Sequence, residues 1–397
     1  MMQEIKDHFV DLHIHIGRTE KGAPVKISAS RDLTFYNIAR EASERKGIDT
    51  IGIIDCHSPA VQNEIDFYLS NGEMEEVPDG GIRYRQTTVL LGSEIEVRDA
   101  GMGPAHLLIY LPTLDKMREF TEWMSRHMKN VSLSSQRIYV PARILQEEAE
   151  GRGGMVIPAH IFTPHKSLYG SCSSRMSDLL HVPSIAAVEL GLSSDTEMAS
   201  GLSELDGIPF VTNSDAHSLG KIGREYNLMR MAEASYKELE LALQGRKGRG
   251  IAANFGLNPR LGKYHRTYCA NCESIVDESQ SSAERCLYCG STKIVRGVMD
   301  RIADISDRPA PDAKSLATRP PYRYQVPLEF IPGLGKRKLK GLLDRFGTEM
   351  NILHRVKGDE LAAAVGEDIA GMIIQAREGT LRLEAGGGGS YGKVERR

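Results

Sequence analysis

No apolar run in the sequence approaches the roughly 18 residues that a membrane-crossing helix needs. The opening segment, Met1 to Phe9, lacks the basic-then-apolar pattern of a secretion signal. A cytoplasmic protein with no membrane segment is therefore expected. Cysteine is scarce, six in 397 residues, which excludes a disulfide-stapled scaffold; four of the six stand in two tight pairs, as in a metal site of a reducing compartment. Neither sign of charge dominates: 50 Lys and Arg face 53 Asp and Glu, net −3, so a histone-like polycation and a wholly acidic disordered chain are both excluded. The balance is uneven along the chain, with net −7 up to residue 260 and +4 beyond it, the latter from 22 basic against 18 acidic residues. Any polyanion contact should lean on the C-terminal part. The sequence also lacks an internal repeat. What it does have, 41% apolar residues, is enough for a sizeable core plus at least one accessory module.

Up to about residue 250, short apolar runs alternate with segments of helical period, the pattern of a β/α architecture. Strands are expected at Phe9–Ile16, Ile48–Ile54, Thr88–Val97, Ala105–Leu111, Met155–Ala159, Ile185–Leu190 and Pro209–Thr212. Helices are expected at Asp32–Lys46, with Asp32 as N-cap and Gly47 as stop, at Leu114–Lys129 and at Ala232–Gln244. Seven strands with intervening helices suit a closed or nearly closed barrel. Beyond Asn254 the texture changes to a short-looped, cysteine-bearing stretch, then five prolines among charges at 302–327, then a compact helical pattern from Leu328. The final AGGGGSYGKVERR reads as a mobile basic tail.

In VDLHIHIG the residues alternate, so Val10, Leu12, Ile14 and Ile16 should share one strand face and Asp11, His13 and His15 the other. Two imidazoles two residues apart on a strand can grip one metal. His-x-His alone says little, but ligand types recur at later strand ends: Asp55 and His57, Glu94, His106, His160, then Asp215 and His217 in NSDAH. In β/α barrels the reactive side chains come from such ends. Six imidazoles with carboxylates able to bridge suffice for two or three divalent ions, which would lower the pKa of a bound water and clamp the charge of a phosphoryl transition state.

These residues, His13-Ile-His15, Asp55-Cys-His57, Gly92-Ser-Glu94, His106, Pro158-Ala-His160 and Asp215-Ala-His217, resemble the ordered motifs of the PHP (polymerase and histidinol phosphatase) superfamily. The resemblance implies a distorted barrel that binds Zn, Mn or Mg ions and hydrolyses phosphoesters, with Asp215 and Glu94 catalytic. One departure is visible. Where many members place an acid soon after His-x-His, this chain has Gly17-Arg18-Thr19, leaving only Glu20 as a substitute. Arg18 faces either a phosphate or solvent, and Cys56 reads as a small buried hydrophobe.

Cys269, Cys272, Cys286 and Cys289 form C-x2-C-x13-C-x2-C, the spacing of two knuckles closing one tetrahedral zinc site, and the segment resembles a zinc ribbon. With every position taken by thiolate, that ion should be structural. Near the C-terminus, Pro332-Gly333-Leu-Gly335-Lys336-Arg337-Lys338 joins a tight glycine turn to a cationic helix start. It resembles a helix-hairpin-helix motif, in which glycine amides and a helix N-terminus hold backbone phosphate without reading bases. A second, poorer copy falls in Leu361–Gln375 around Val365-Gly-Glu.

The expected fold is α/β: a distorted PHP-type barrel over 1–255, a four-cysteine zinc domain over 256–300, a proline-rich linker over 301–327, a helix-hairpin-helix region over 328–385 and a flexible tail over 386–397. This combination resembles, over roughly residues 8 to 385, the endonuclease Q family of DNA-repair nucleases. The resemblance implies hydrolysis of the phosphodiester 5′ to deaminated bases (uracil, hypoxanthine, xanthine) or abasic sites in DNA, with the target nucleotide extruded from the helix. The polar segment Tyr169-Gly170-Ser171 to Arg175, following His160, is the expected wall of the base pocket. Two alternatives are a histidinol-phosphate-type phosphatase, which would have no use for the ribbon and hairpin, and a DNA-binding scaffold without catalysis, which would not need the acid and histidine set.

Overall fold

The computed structural model describes residues 4–276, 285–308, 316, 318–386, 388 and 390–394. All seven apolar runs contain a strand: β1 (Lys6–Ile14), β2 (Thr50–Ile53), β3 (Thr87–Val97), β4 (Ala105–Leu111), β5 (Met155–Pro158), β6 (Val188–Glu189) and β7 (Phe210–Val211). Their hydrogen bonds run round a ring. β1, β2 and β3 pair in parallel, whereas β4 is antiparallel to both β3 and β5. The Ala186 amide bonds the Val156 carbonyl and the Ile161 amide the Glu189 carbonyl, tying β5 to β6, which pairs in parallel with β7. The ring returns to β1 at Ala216, which exchanges 3.1 Å bonds with His13 and His15.

Val10, Leu12, Leu90, Leu108, Tyr110, Ile157 and Val211, contributed by five of the staves, fill the interior. Tyr110 occupies its middle, its hydroxyl donating to the Leu12 carbonyl. The ring fits because Gly52 and Gly92 lie against it; a Cβ on either would sit 2.8 or 2.9 Å from Cε1 of Tyr110. This packed plug leaves polar side chains only the rim.

Strict alternation along β1 does not survive. The register with β2 shifts between Asp11 and Ile14, and such an irregularity re-aims the side chains beyond it. Val10 and Leu12 therefore join the interior, while Ile14 and Ile16 join the outer core with Phe35 and Ile38.

That outer layer is built by α1 (Phe35–Arg40), α2 (Pro59–Ser70), α3 (Leu114–Ser125) and α4 (Ala142–Glu150), whereas α5 (Tyr236–Leu243) packs Tyr236, Leu239, Ala242 and Leu243 onto the interior cluster. The first is capped by Thr34, whose side chain accepts from the Asn37 amide, rather than by Asp32; it continues as a π-wound turn to Lys46 and stops at Gly47, φ 77°. Two strands unread in the sequence, β8 (Tyr226–Met231) and β9 (Gly250–Gly256), extend the sheet antiparallel from the first half of β1. The end of the proline-rich stretch, Tyr322–Tyr324, adds a parallel edge strand to β9; Pro309 and Pro311 lie outside the described residues.

The C-terminal helices are α6 (Val298–Ile305), α7 (Lys336–Phe346), α8 (Glu349–His354), α9 (Gly358–Val365) and α10 (Glu367–Glu378). They dock on the barrel through buried contacts. Lys46 Nζ lies 3.0 Å from Glu349, and the His354 ring packs among Phe9, Tyr226 and Phe255. Burial, aided by Arg377 and Arg355, pushes His354 down to about 4. Within the stretch expected to be a mobile tail, Lys393–Val394 pairs antiparallel with Leu383–Glu384; residues 387, 389 and 395–397 lie outside the described residues. Main-chain hydrogen bonds supply the order that side-chain burial could not.

Candidate active site

Side chains from five staves or the loops beyond them converge at one rim. Nε2 of His13 and of His15 lie 3.7 Å from Glu94 oxygens and 3.4 and 3.6 Å from Oδ1 of Asp215. Donor atoms roughly 3.4 Å apart are what a tetrahedral ion with bonds of about 2.1 Å requires. Glu94 Oε1 also lies 2.7 Å from Nδ1 of His106 and 3.4 Å from Nε2 of His160, making a second three-residue group. Asp215 and His15 form a third with His217, whose Nδ1 is 3.5 Å from Asp215 Oδ1. Glu94 thus joins the first two groups and His15 the first and third. Nε2 of His13 and Nε2 of His106 are buried without a hydrogen-bond partner, a costly state that a metal ion relieves. The donor set fits divalent ions.

Two of these residues hold strained backbone. His160 has φ 31° and Asp215 φ 45°, the left-handed region that non-glycine residues seldom adopt and that clusters at functional sites. Gly191 makes the first possible, since a Cβ there would approach that of His160 to 2.9 Å.

Burial disfavours a charged His13, but the carboxylates of Glu189, Asp215 and Glu94 outweigh it and raise the imidazole to about 10. Its neighbour behaves oppositely: burial and the Lys26 ammonium push His15 down to about 4 in spite of Asp55. For Glu94, burial is overridden by His106 and Lys26, which hold the carboxyl well below its usual range.

Asp55 and His57, read from the sequence as ligands, take other places. Asp55 Oδ2 bonds Nδ1 of His15 at 3.1 Å and the Ile16 amide at 2.8 Å, so it orients a ligand from behind. His57 is buried with Nε2 3.3 Å from the Leu133 carbonyl, outside the three groups. Glu20 also lies outside them, its amide bonded to Glu64. Cys56 is buried, its thiol raised by burial and directed at the Ile53 carbonyl.

Tyr169, Gly170, Ser171 and Arg175 do not wall this site. Tyr169 is buried with its hydroxyl on Glu204 at 2.8 Å, and Ser171 bonds the Pro104 carbonyl. Arg175 is exposed beside Ser203 and Glu204, in a different depression. The segment turns back into the protein because its own apolar residues, Leu168 and Tyr169, join the core.

Sequence reading missed Glu189. Its two oxygens lie 3.0 Å from Nδ1 of His13, and it accepts the His160 amide at 3.0 Å and the Asn213 side chain at 3.2 Å. An acid ending the apolar run Ala186-Ala187-Val188 was the available signal. Lys26, 3.4 Å from Glu94, and Ser135, which bonds the same carboxylate, come from loops with no pattern to reveal them.

Around the metal groups opens a cavity of about 240 Å³. A cavity needs only about 10–15 Å³ of such space to hold one water, so this one exceeds the needs of the ions. Farther off, the four cysteines gather: Sγ of Cys269 is 3.6 Å from that of Cys289, as is Cys272 from Cys286. Sulfurs bonded to zinc at about 2.3 Å stand roughly 3.7 Å apart in a tetrahedron, so the cluster fits that ion. Gly333, φ 78°, and Gly335, the N-cap of α7, precede Lys336, Arg337 and Lys338, all three exposed. The poorer copy is also a helical pair, α9 and α10 joined at Gly366, φ 90°, but its second helix opens with Glu367 and Asp368. Those acids repel an approaching phosphate.

A family model described as PHP-associated matches residues 195–248, which include Asp215 and His217. The crystal structure of the lesion-specific endonuclease PfuEndoQ from Pyrococcus furiosus is similar at TM-score 0.84 and 31% identity, covering 98% of this chain and 95% of that one. The chain belongs to the endonuclease Q family. A second family structure, endonuclease Q in complex with a 27-mer duplex substrate bearing an abasic lesion at the active site, is similar at TM-score 0.84 and 30% identity, over 99% and 97% of the two chains. YqxK of Bacillus subtilis, called an uncharacterized protein, is 49% identical over 98% of this chain and its own full length. MJ0043 of Methanocaldococcus jannaschii is 35% identical over 59% of this chain and 31% of that protein. Endonuclease Q architecture thus spans both the metal-bearing barrel and the C-terminal modules. No helix among the described residues is long and apolar enough to cross a membrane.

Proposed function

We propose that this protein hydrolyses the DNA phosphodiester 5′ to a deaminated base or an abasic site, leaving 3′-hydroxyl and 5′-phosphate ends. The protein is a metal-dependent DNA endonuclease; lesion specificity is the further step. The observation that carries it is likeness along the whole chain to a lesion-specific endonuclease and to a family complex with abasic duplex. Divalent ions, two or three of Zn, Mn or Mg, would supply a water acidic enough to attack at neutral pH and neutralise phosphoryl charge. His13, His15, His106, His160 and His217, with Glu94 and Asp215, would hold them. Asp55 and Glu189 fix the imidazole orientations, and Lys26 and Lys166, which line the cavity, place positive charge where a phosphate would enter. The glycine turn before α7 and the exposed Lys336, Arg337 and Lys338 suit a sequence-independent grip on the DNA backbone.

The test is cleavage of end-labelled duplexes carrying one uracil, hypoxanthine, xanthine or abasic site, or none, with Mg or Mn. Cutting 5′ to each lesion is expected, and uracil opposite guanine should be cut faster than uracil opposite adenine because opening the weaker pair costs less. Equal cleavage of the unmodified duplex would leave a general nuclease on the same metals.

The four-cysteine cluster is assigned a structural zinc. Cys286→Ser should lower zinc content by about one ion per chain while the barrel keeps its ions. Elemental analysis reads this directly, and unchanged zinc in the variant counts against a four-thiolate site.

A further inference from the structure

Three residues that line the metal-bearing cavity come from outside the barrel: Lys263 and Tyr264, which precede the first cysteine pair, and Tyr391, from the C-terminal hairpin. The hairpin is seated firmly. The Gly386 amide donates to the Arg260 carbonyl at 2.6 Å and the Gly392 amide to the Leu261 carbonyl at 2.9 Å. Its glycines are what this seat requires, since a Cβ on Gly386 would lie 2.6 Å from the Leu261 oxygen and one on Gly392 2.8 Å from Leu261 Cδ2. Tyr391, 40% exposed, is thereby brought to the cavity. Lys263 Nζ stands 4.7 Å from the Tyr264 ring centroid and 5.7 Å from that of Tyr391, cation–π distances that tie the two rings into one surface.

We propose that this C-terminal hairpin completes the active site, with Tyr391, held through Lys263 and backed by Tyr264, forming the aromatic wall on which the base of the extruded nucleotide stacks. The proposal rests on the lesion-nuclease reading above. The cavity has room beyond the ions, its lining also carries the polar groups His160, Thr163 and Asn213, and an aromatic face is the sequence-tolerant way to hold a base out of the helix. The hairpin thus supplies a face that the barrel rim, crowded with ligands, does not.

An abasic site has no base to stack, and this separates the wall from a merely structural role. In the full-length protein, under single-turnover conditions with saturating enzyme, Tyr391→Ala should slow cleavage 5′ to uracil by about ten- to a hundredfold while changing cleavage at an abasic site by about twofold or less. Tyr391→Phe should keep both rates. Equal losses on the two substrates, no loss on either, or a Phe variant as slow as the Ala variant would each overturn the wall while leaving the lesion reading intact. Wild-type protein that cuts unmodified duplex as fast as both lesion substrates would remove the lesion reading and the wall with it.

Discussion

Asp215→Asn should slow cleavage at least about a thousandfold, because ions that share ligands act as a unit and the loss of one anionic ligand costs several kcal/mol of barrier. One oxygen, Oδ1, stands within 3.6 Å of both His13 and His15 Nε2 and 3.5 Å from His217 Nδ1. Although burial favours the neutral acid, His13, His217 and His15 hold the carboxyl below its ordinary range, so it is anionic at every working pH. Asparagine keeps the shape and removes the charge. Metal content should fall while the melting temperature of the metal-free protein changes little, and near-normal cleavage by the folded variant at equal concentration would refute the assignment.

Glu189→Ala is expected to weaken metal loading or activity by about ten- to a hundredfold, the usual consequence of removing a group that orients a ligating histidine. Glu189 touches no proposed ion directly; it holds Nδ1 of His13 and the backbone amide of His160 at 3.0 Å each. Its removal strands both donors in a buried site and lets the His13 ring turn. Raising the Mn concentration should restore much of the lost rate, which a collapsed fold would not allow, and Glu189→Gln, able to accept one of the two bonds, should fall between. A variant as active as wild type at limiting metal would show that His13 needs no such partner.

Much of the site was legible because ligand-type residues at short, fixed spacings leave a local signature. His13-Ile-His15 and Asp215-Ala-His217 are pairs two residues apart, and seven of the nine residues read as ligands do meet at one rim. The cysteine spacing likewise carried its own geometry. Asp55 and His57 looked the same in sequence, since an acid behind an imidazole and an acid facing a metal are identical letters; which nitrogen of His15 points at which partner is a matter of three-dimensional orientation. Tyr169–Arg175 misled for the opposite reason. Its polar residues suggested a wall, but Leu168 and Tyr169 gain more by burial in the core than they would in a wet cavity.

Composition, spacing and periodicity alone pointed to a metal-binding β/α barrel followed by a four-cysteine module and a basic glycine turn, because each of those leaves a local pattern of residue types in the sequence. The tertiary structure alone decided how distant segments share the mouth. His106 begins its strand rather than ending it, yet reaches the same rim because β4 runs antiparallel to β3 and β5. Tyr391 stands 127 residues after Tyr264 and meets the same cavity because glycine amides seat its hairpin on Arg260 and Leu261. Strand direction and long-range backbone pairing leave no periodic trace in a single sequence, and those two facts placed the residues that pattern reading could not.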